Sequence, residues 1–138
     1  MQPAYGATIV VDVANVMGSR PDGWWRDRAG AAARLHAEVA RLAASGKIIE
    51  PDQQGPPEFV LVLEGAAKAA AARISPAERV RVVQSAGSGD DAIVALLGEL
   101  PGRRVVVTAD RELRRRSEAA GAQVQGPGWL LRQLSQPE

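Results

Sequence analysis

Asp12, Glu64, Asp90, Asp91 and Asp110 are five of the sixteen acids in this 138-residue chain, and each stands where an apolar run ends or a helical pattern begins. Carboxylates gathered in one place repel one another unless some hold a proton or a cation sits among them. The chain has no cysteine and a single histidine, His36. Disulfides, thiolate zinc sites, cysteine nucleophiles and poly-histidine metal sites are therefore excluded. A cation held by oxygen alone is a hard one, and the acids suit Mg2+ or Mn2+. Such an ion lowers the pKa of a bound water and clamps an in-line displacement at phosphorus. Each acid also has a purely structural use. Ser88-x-x-Asp91 fits a capping box, Asp90 suits a helix N-terminus through the macrodipole, and Asp110 fits an N-cap. Glu64 precedes a short helical stretch. Asp12 fits a turn with Asn15 but, after a fully apolar strand, has no helix to cap.

The elements that must position these acids alternate between two periods. Continuous β-branched and apolar runs at Ala7–Val13, Phe59–Glu64 and Arg104–Thr108 read as buried strands. Val80–Gln84 is more polar and belongs at a sheet edge, and Ala122–Gln125 is a short last strand. Helical patterns cover Ala29–Ser45, Gly65–Arg73, Ser88–Leu100, Arg111–Ala120 and Trp129–Leu134. His36 falls beside the apolar face of the first of these. The stretch Ala14–Arg28, with its Pro21-Asp22-Gly23 turn signal, reads as a long connection. Glu50–Pro57 is a polar, proline-rich surface loop.

Strands that are apolar throughout and joined by helices predict an α/β fold with a parallel sheet covered on both faces. Right-handed crossovers then bring every strand's carboxyl end, and all five acids, to one edge. Ligands of such sheets bind outside that edge. Neither an internal repeat nor a linker divides the chain, so residues 1–138 are expected to form a single domain. No apolar run reaches the roughly 20 residues of a membrane span. The start, Met1–Gly6, lacks a basic segment before its short apolar run, so a cytoplasmic location is expected.

Net charge is only +1, but fifteen of the seventeen cations are arginine. Trp24 and Trp25 lie in the long first connection among Arg20, Arg26 and Arg28. Aromatics interleaved with arginine suit single-stranded nucleic acid, bound by stacking and backbone charge. One of the two indoles also suits a plug that pins the loop to the domain. Arg111, Arg114 and Arg115 fall on roughly one side of their helix and would line a phosphate path.

Three motifs in order resemble the NYN branch of the PIN-like nuclease superfamily: Val10-Val11-Asp12-Val13-Ala14-Asn15, Gly87-Ser88-Gly89-Asp90-Asp91-Ala92-Ile93, and Val107-Thr108-Ala109-Asp110-Arg111. The resemblance implies a PIN-like α/β/α sandwich with strand order 3-2-1-4-5 and a divalent-metal-dependent endoribonuclease. It assigns Asp12, Asp91 and Asp110 as metal-site acids, with Asp90 and Glu64 supporting them. It further implies that Asn15 orients Asp12 or contacts phosphate and that Thr108 orients Asp110. Arg20, Trp24, Trp25, Ser88 and Arg111 complete the expected substrate contacts. The chain departs from the family at Val13, where many members carry a smaller residue, which implies a restricted approach of substrate to the backbone.

The expected partner is RNA. Two other functions use the same residues: a phosphohydrolase of free nucleotides, and a non-catalytic RNA-binding module. Assembly into a homo-oligomer or with a protein partner is left open by the sequence.

Overall fold

A computed structural model describes residues 7–47 and 55–135. Met1–Gly6 and most of the Glu50–Pro57 loop lie outside the described residues. The sheet has five strands, β1 (Thr8–Asp12), β2 (Glu58–Leu63), β3 (Val80–Gln84), β4 (Arg104–Val107) and β5 (Gln123–Gln125). All pair in parallel, in the order β3-β2-β1-β4-β5. The helices are α1 (Val13–Gly18), α2 (Arg28–Ala44), α3 (Gly89–Glu99), α4 (Arg111–Ala119) and α5 (Pro127–Ser135). Two 3₁₀ segments, Trp24–Arg26 and Gly65–Ala72, complete the element order.

The continuous apolar strands are explained by two cores, one on each face. Ile9, Val11, Phe59, Leu61, Leu63, Val105 and Val107 point to one side, where α1, α2, α5 and the second 3₁₀ segment cover them. Val10, Val60, Val62 and Val106 point to the other, against Ile93, Leu96 and Leu97 of α3 and Leu113 of α4. The result is the expected three-layer sandwich. Ile93 is fully buried, and its truncation to alanine would cost about 2–5 kcal/mol. β3, half-exposed along its length, is an edge strand as its polarity predicts.

The first connection differs from its expected loop form. Val13–Gly18 is helical, and Val13 is 1% exposed and packed in the core. Its bulk therefore faces inward and does not obstruct the carboxyl edge. His36 is buried in α2, with its Nε2 unpartnered among the described residues and its pKa lowered by burial. It lies in the layer rather than on its flank. Arg104 fastens the far ends of two helices, donating to Leu97 O and, at 3.1 Å, to Ala120 O. A guanidinium there also opposes the negative ends of both helix dipoles.

Candidate functional site at the carboxyl edge of the sheet

Strand register sets the frame. Asp12 is level with Val62 of β2, and because Val11 is level with Val107 of β4, Thr108 follows at the level of Asp12. Glu64 and Asp110 thus each lie two residues beyond Asp12's level, one on either side of the central strand.

Asp12 ends β1 at 6% exposure. Its Oδ2 accepts from Thr108 Oγ1 at 2.9 Å and its Oδ1 from Asn15 N–H at 3.4 Å. The second bond makes Asp12 the N-cap of α1. The expectation that it has no helix to cap is therefore corrected: Val13–Gly18 is too short to show helical periodicity in sequence. Burial pushes the Asp12 carboxyl up to about 6, Thr108 and Asn15 draw it down, and Asp90 and Glu64 raise it further. Asn15 serves twice, since its Oδ1 accepts from Ala109 N–H at 2.7 Å. It ties the start of α1 to the connection after β4.

Thr108 is fully buried, and its Oγ1 also accepts from Asp110 N–H at 3.1 Å. Asp110 caps α4 by accepting from Leu113 N–H at 2.8 Å through Oδ1. Glu64 makes no side-chain cap to the segment it precedes. Instead its Oε2 accepts from Gly89 N–H at 3.0 Å, at the start of α3. Gly89 is a close-approach position, because a Cβ there would stand 3.1 Å from Glu64 Oε1 and 3.2 Å from its carboxyl carbon. Sequence reasoning misses this pairing, although a glycine directly before paired aspartates is a visible sign of one.

The two adjacent aspartates of α3 part company. Asp90 is half-buried, and its pKa is raised by burial, then by Asp110 and Glu64, while Arg116 lowers it. Asp91 has a side chain 74% exposed and pairs with Arg116 Nη2 at 3.0 Å. Ser88 Oγ accepts from Asp91 N–H at 3.1 Å, so one half of the capping box forms. The carboxylate that faces Asp12, Glu64 and Asp110 is therefore that of Asp90 rather than Asp91. Successive helical residues are turned by about 100°, and α3 packs with Asp90 inward. The acids also share the edge with a cation, Arg116, that their motifs do not contain.

All the donors here are oxygens, and their mutual repulsion fits a site that a hard divalent cation would relieve. The carboxylates nevertheless stand apart: among the described residues, no three acid or histidine side chains are gathered as a ready cage. Glu64 and Asp110 each spend one oxygen on a helix N–H and keep the other.

The expected substrate contacts divide in the same way. Arg20 is engaged with Glu38 through two bonds of 2.7 and 3.1 Å, so it is not a free phosphate ligand. Trp24 packs against the core under Arg28, whose guanidinium lies 5.0 Å from the ring centroid. Trp25 stands edge-on to Trp24 at 5.9 Å and is 54% exposed, with Arg26 over its ring. Arg111 is exposed at the start of α4. Arg114 and Arg115 are committed to Thr108 O and Glu112. Lys68, one of two lysines, donates to Ser85 O at 3.0 Å beyond the ends of β2 and β3. Nothing in the sequence pattern singles it out.

The fold matches that of Rae1 (YacP) from Bacillus subtilis. The crystal structure of that protein superposes with a TM-score of 0.72 at 18% identity, over 92% of this chain and 72% of that one. A Trp-to-Leu mutant of the same protein gives 0.69 at 17% identity, over 93% of this chain and 74% of that one. At such identity the likeness is one of fold, and it is the PIN-like fold with sheet order 3-2-1-4-5. No family model matches the sequence, and no curated protein matches it. No helix among the described residues is long and apolar enough to cross a membrane.

Proposed function

We propose that this chain is a divalent-metal-dependent endoribonuclease acting in the cytoplasm, with its reaction centre at the acid edge. The observation that carries the reading is the mutual arrangement of Asp12, Glu64, Asp90 and Asp110. They come from different parts of the chain, and at Asp12 and Asp90, whose pKa values are raised first by burial, the neighbouring carboxylates raise them further. Structural capping alone gives no reason for that concentration of like charge, since asparagine or serine caps as well as aspartate.

In this reading Asp12, Asp90, Asp110 and Glu64 hold Mg2+ or Mn2+, and Asp91 has a lesser role at the rim. The bound ion would supply an acidified water and charge neutralisation at phosphorus. The chain's own residues do the positioning. Thr108 holds Asp12 and the Asp110 backbone with one hydroxyl. Asn15 and Gly89 fix the neighbouring loops. Trp25 offers an exposed ring on which an unpaired base can stack, while Trp24 secures the loop that carries it.

The test is incubation with a mixed RNA pool and, separately, with nucleoside triphosphates, each with Mn2+, Mg2+ or EDTA. Metal-dependent RNA fragmentation supports the proposal. Hydrolysis of free triphosphates with intact RNA would make the chain a nucleotide phosphohydrolase. RNA binding without turnover would make it a binding module.

A further inference from the structure

A polyanion gains little from approaching a rim of carboxylates, so its binding energy must come from another surface. Three of the four α4 arginines, Arg114, Arg115 and Arg116, are engaged with Thr108 O, Glu112 and Asp91, which leaves Arg111 as the one exposed cation of that helix without such a partner among the described residues. The exposed face of α2 is different. Arg20, Arg34, Ala37, Glu38 and Arg41 line an open groove of about 410 Å³. Glu38 is the only acid in that lining, and it is committed to Arg20 by the two-pronged bond described above, with both side chains about three-quarters covered. Arg34 and Arg41 are exposed and have no carboxylate partner among the described residues. Seven residues apart, they sit on one stripe of the helix, about 10 Å from each other along its axis.

We propose that this groove binds phosphates of a single-stranded RNA backbone and anchors the substrate outside the reaction centre. The proposal rests on the ribonuclease reading. Three guanidiniums face one carboxylate, and that carboxylate holds the central guanidinium in place. Arginine's planar fork matches phosphate bidentately. The only apolar side chain in the lining is Ala37, so the groove lacks the aromatic or aliphatic anchor around which protein interfaces are built. Repeated phosphates, unlike one free anion, can engage both unpaired arginines at once.

The test is fluorescence anisotropy of a labelled single-stranded RNA with the full chain in EDTA, over a series of salt concentrations. The Arg34→Gln/Arg41→Gln variant is compared with Arg34→Lys/Arg41→Lys and with the unaltered chain, and thermal melts check that all three fold. The expected result is a weaker Kd for the glutamine variant, with a salt slope shallower by about 1.4, or about 0.7 for each single-strand phosphate no longer neutralised. The lysine variant keeps the slope. If RNA binds and the glutamine variant leaves Kd and slope unchanged, the groove proposal is overturned while the ribonuclease reading stands. If the unaltered chain binds no RNA at any salt, the groove proposal falls, and the metal-dependent cleavage assay alone decides the ribonuclease reading. A parallel thermal-shift titration with inorganic phosphate identifies the other source. Stabilisation by phosphate that the glutamine variant loses, with its RNA binding intact, would assign the groove to a free anion and overturn the backbone role.

Discussion

Thr108 Oγ1 donates to Asp12 Oδ2 at 2.9 Å and accepts from the Asp110 N–H at 3.1 Å, so one buried hydroxyl ties the acid that ends β1 to the backbone of the acid that caps α4. Thr108→Val would leave both partners unsatisfied at a cost of about 1–3 kcal/mol. It would also raise the Asp12 pKa further, since the Thr108 bond lowers it. Mn2+ binding followed by calorimetry should then need a higher pH than in the unaltered chain. Thr108→Ser should restore both stability and pH dependence, and equal binding profiles in all three proteins would remove Thr108 from the site.

The pH dependence of the metal-free protein follows from Asp12. Its carboxyl titrates near 6 in the folded chain, against 3.8 ordinarily. Between about pH 4 and 6 the unfolded chain releases this proton while the folded chain keeps it. Stability should therefore fall as pH rises through that window, by up to about 3 kcal/mol from this group, and show no further loss from it above the window. Denaturant melts in EDTA at pH 4, 5, 6 and 7 measure the fall. Asp12→Asn should flatten it and melt higher at pH 7 than the unaltered chain.

Asp90 and Asp91 should separate cleanly. Asp90→Asn is expected to lower metal-dependent RNA cleavage by about 10²–10³-fold, the range typical of removing an electrostatic stabiliser. Asp91→Asn breaks an exposed pair with Arg116, worth about 0–1 kcal/mol of stability, and should retain most activity. Steady-state cleavage rates at saturating Mn2+ decide the matter. The opposite ranking would move the centre to the outer face of α3.

The two tryptophans should also differ. Trp25→Ala should weaken single-stranded RNA binding by about 1–3 kcal/mol and leave the melting temperature nearly unchanged, because the ring is 54% exposed. Trp24→Ala should lower the melting temperature, because this ring packs against the core. Binding titrations and thermal melts of both variants test the division.

The parallel sheet was legible because strands buried on both faces read as unbroken apolar runs, as Phe59–Leu63 and Val105–Val107 do, whereas its order 3-2-1-4-5 was implied only by the family resemblance. The polarity of Val80–Gln84 correctly put that strand at an edge. The acid edge followed from chain direction alone. The orientation of individual side chains did not. Whether Asp90 or Asp91 points inward depends on how α3 docks, which no local pattern encodes. Arg20 and Glu38 meet across eighteen residues, and Arg116 meets Asp91 across two helices. Such partners depend on tertiary packing, so the sequence supplied candidate cations without showing which were already engaged. The helix at Val13–Gly18 is too short for its period to register.

The placement of Glu64 and Asp110 two residues beyond the level of Asp12 has a mechanical consequence. The spacing of the strand ends beneath the acid edge is set by the sheet, at about 4.8 Å per strand, and Glu64 follows directly on the end of β2. What matters is parity. Adding one residue to β2 while the strand's earlier register holds would turn Glu64, the residue that follows it, to the opposite face of the sheet. Adding two would restore the facing but carry the acid a step of nearly 7 Å further out. Lengthening a loop on the opposite, amino-terminal side of the sheet would do neither. An insertion series through β2 should therefore switch metal binding off and on in an odd–even pattern, with the even members weakened by distance.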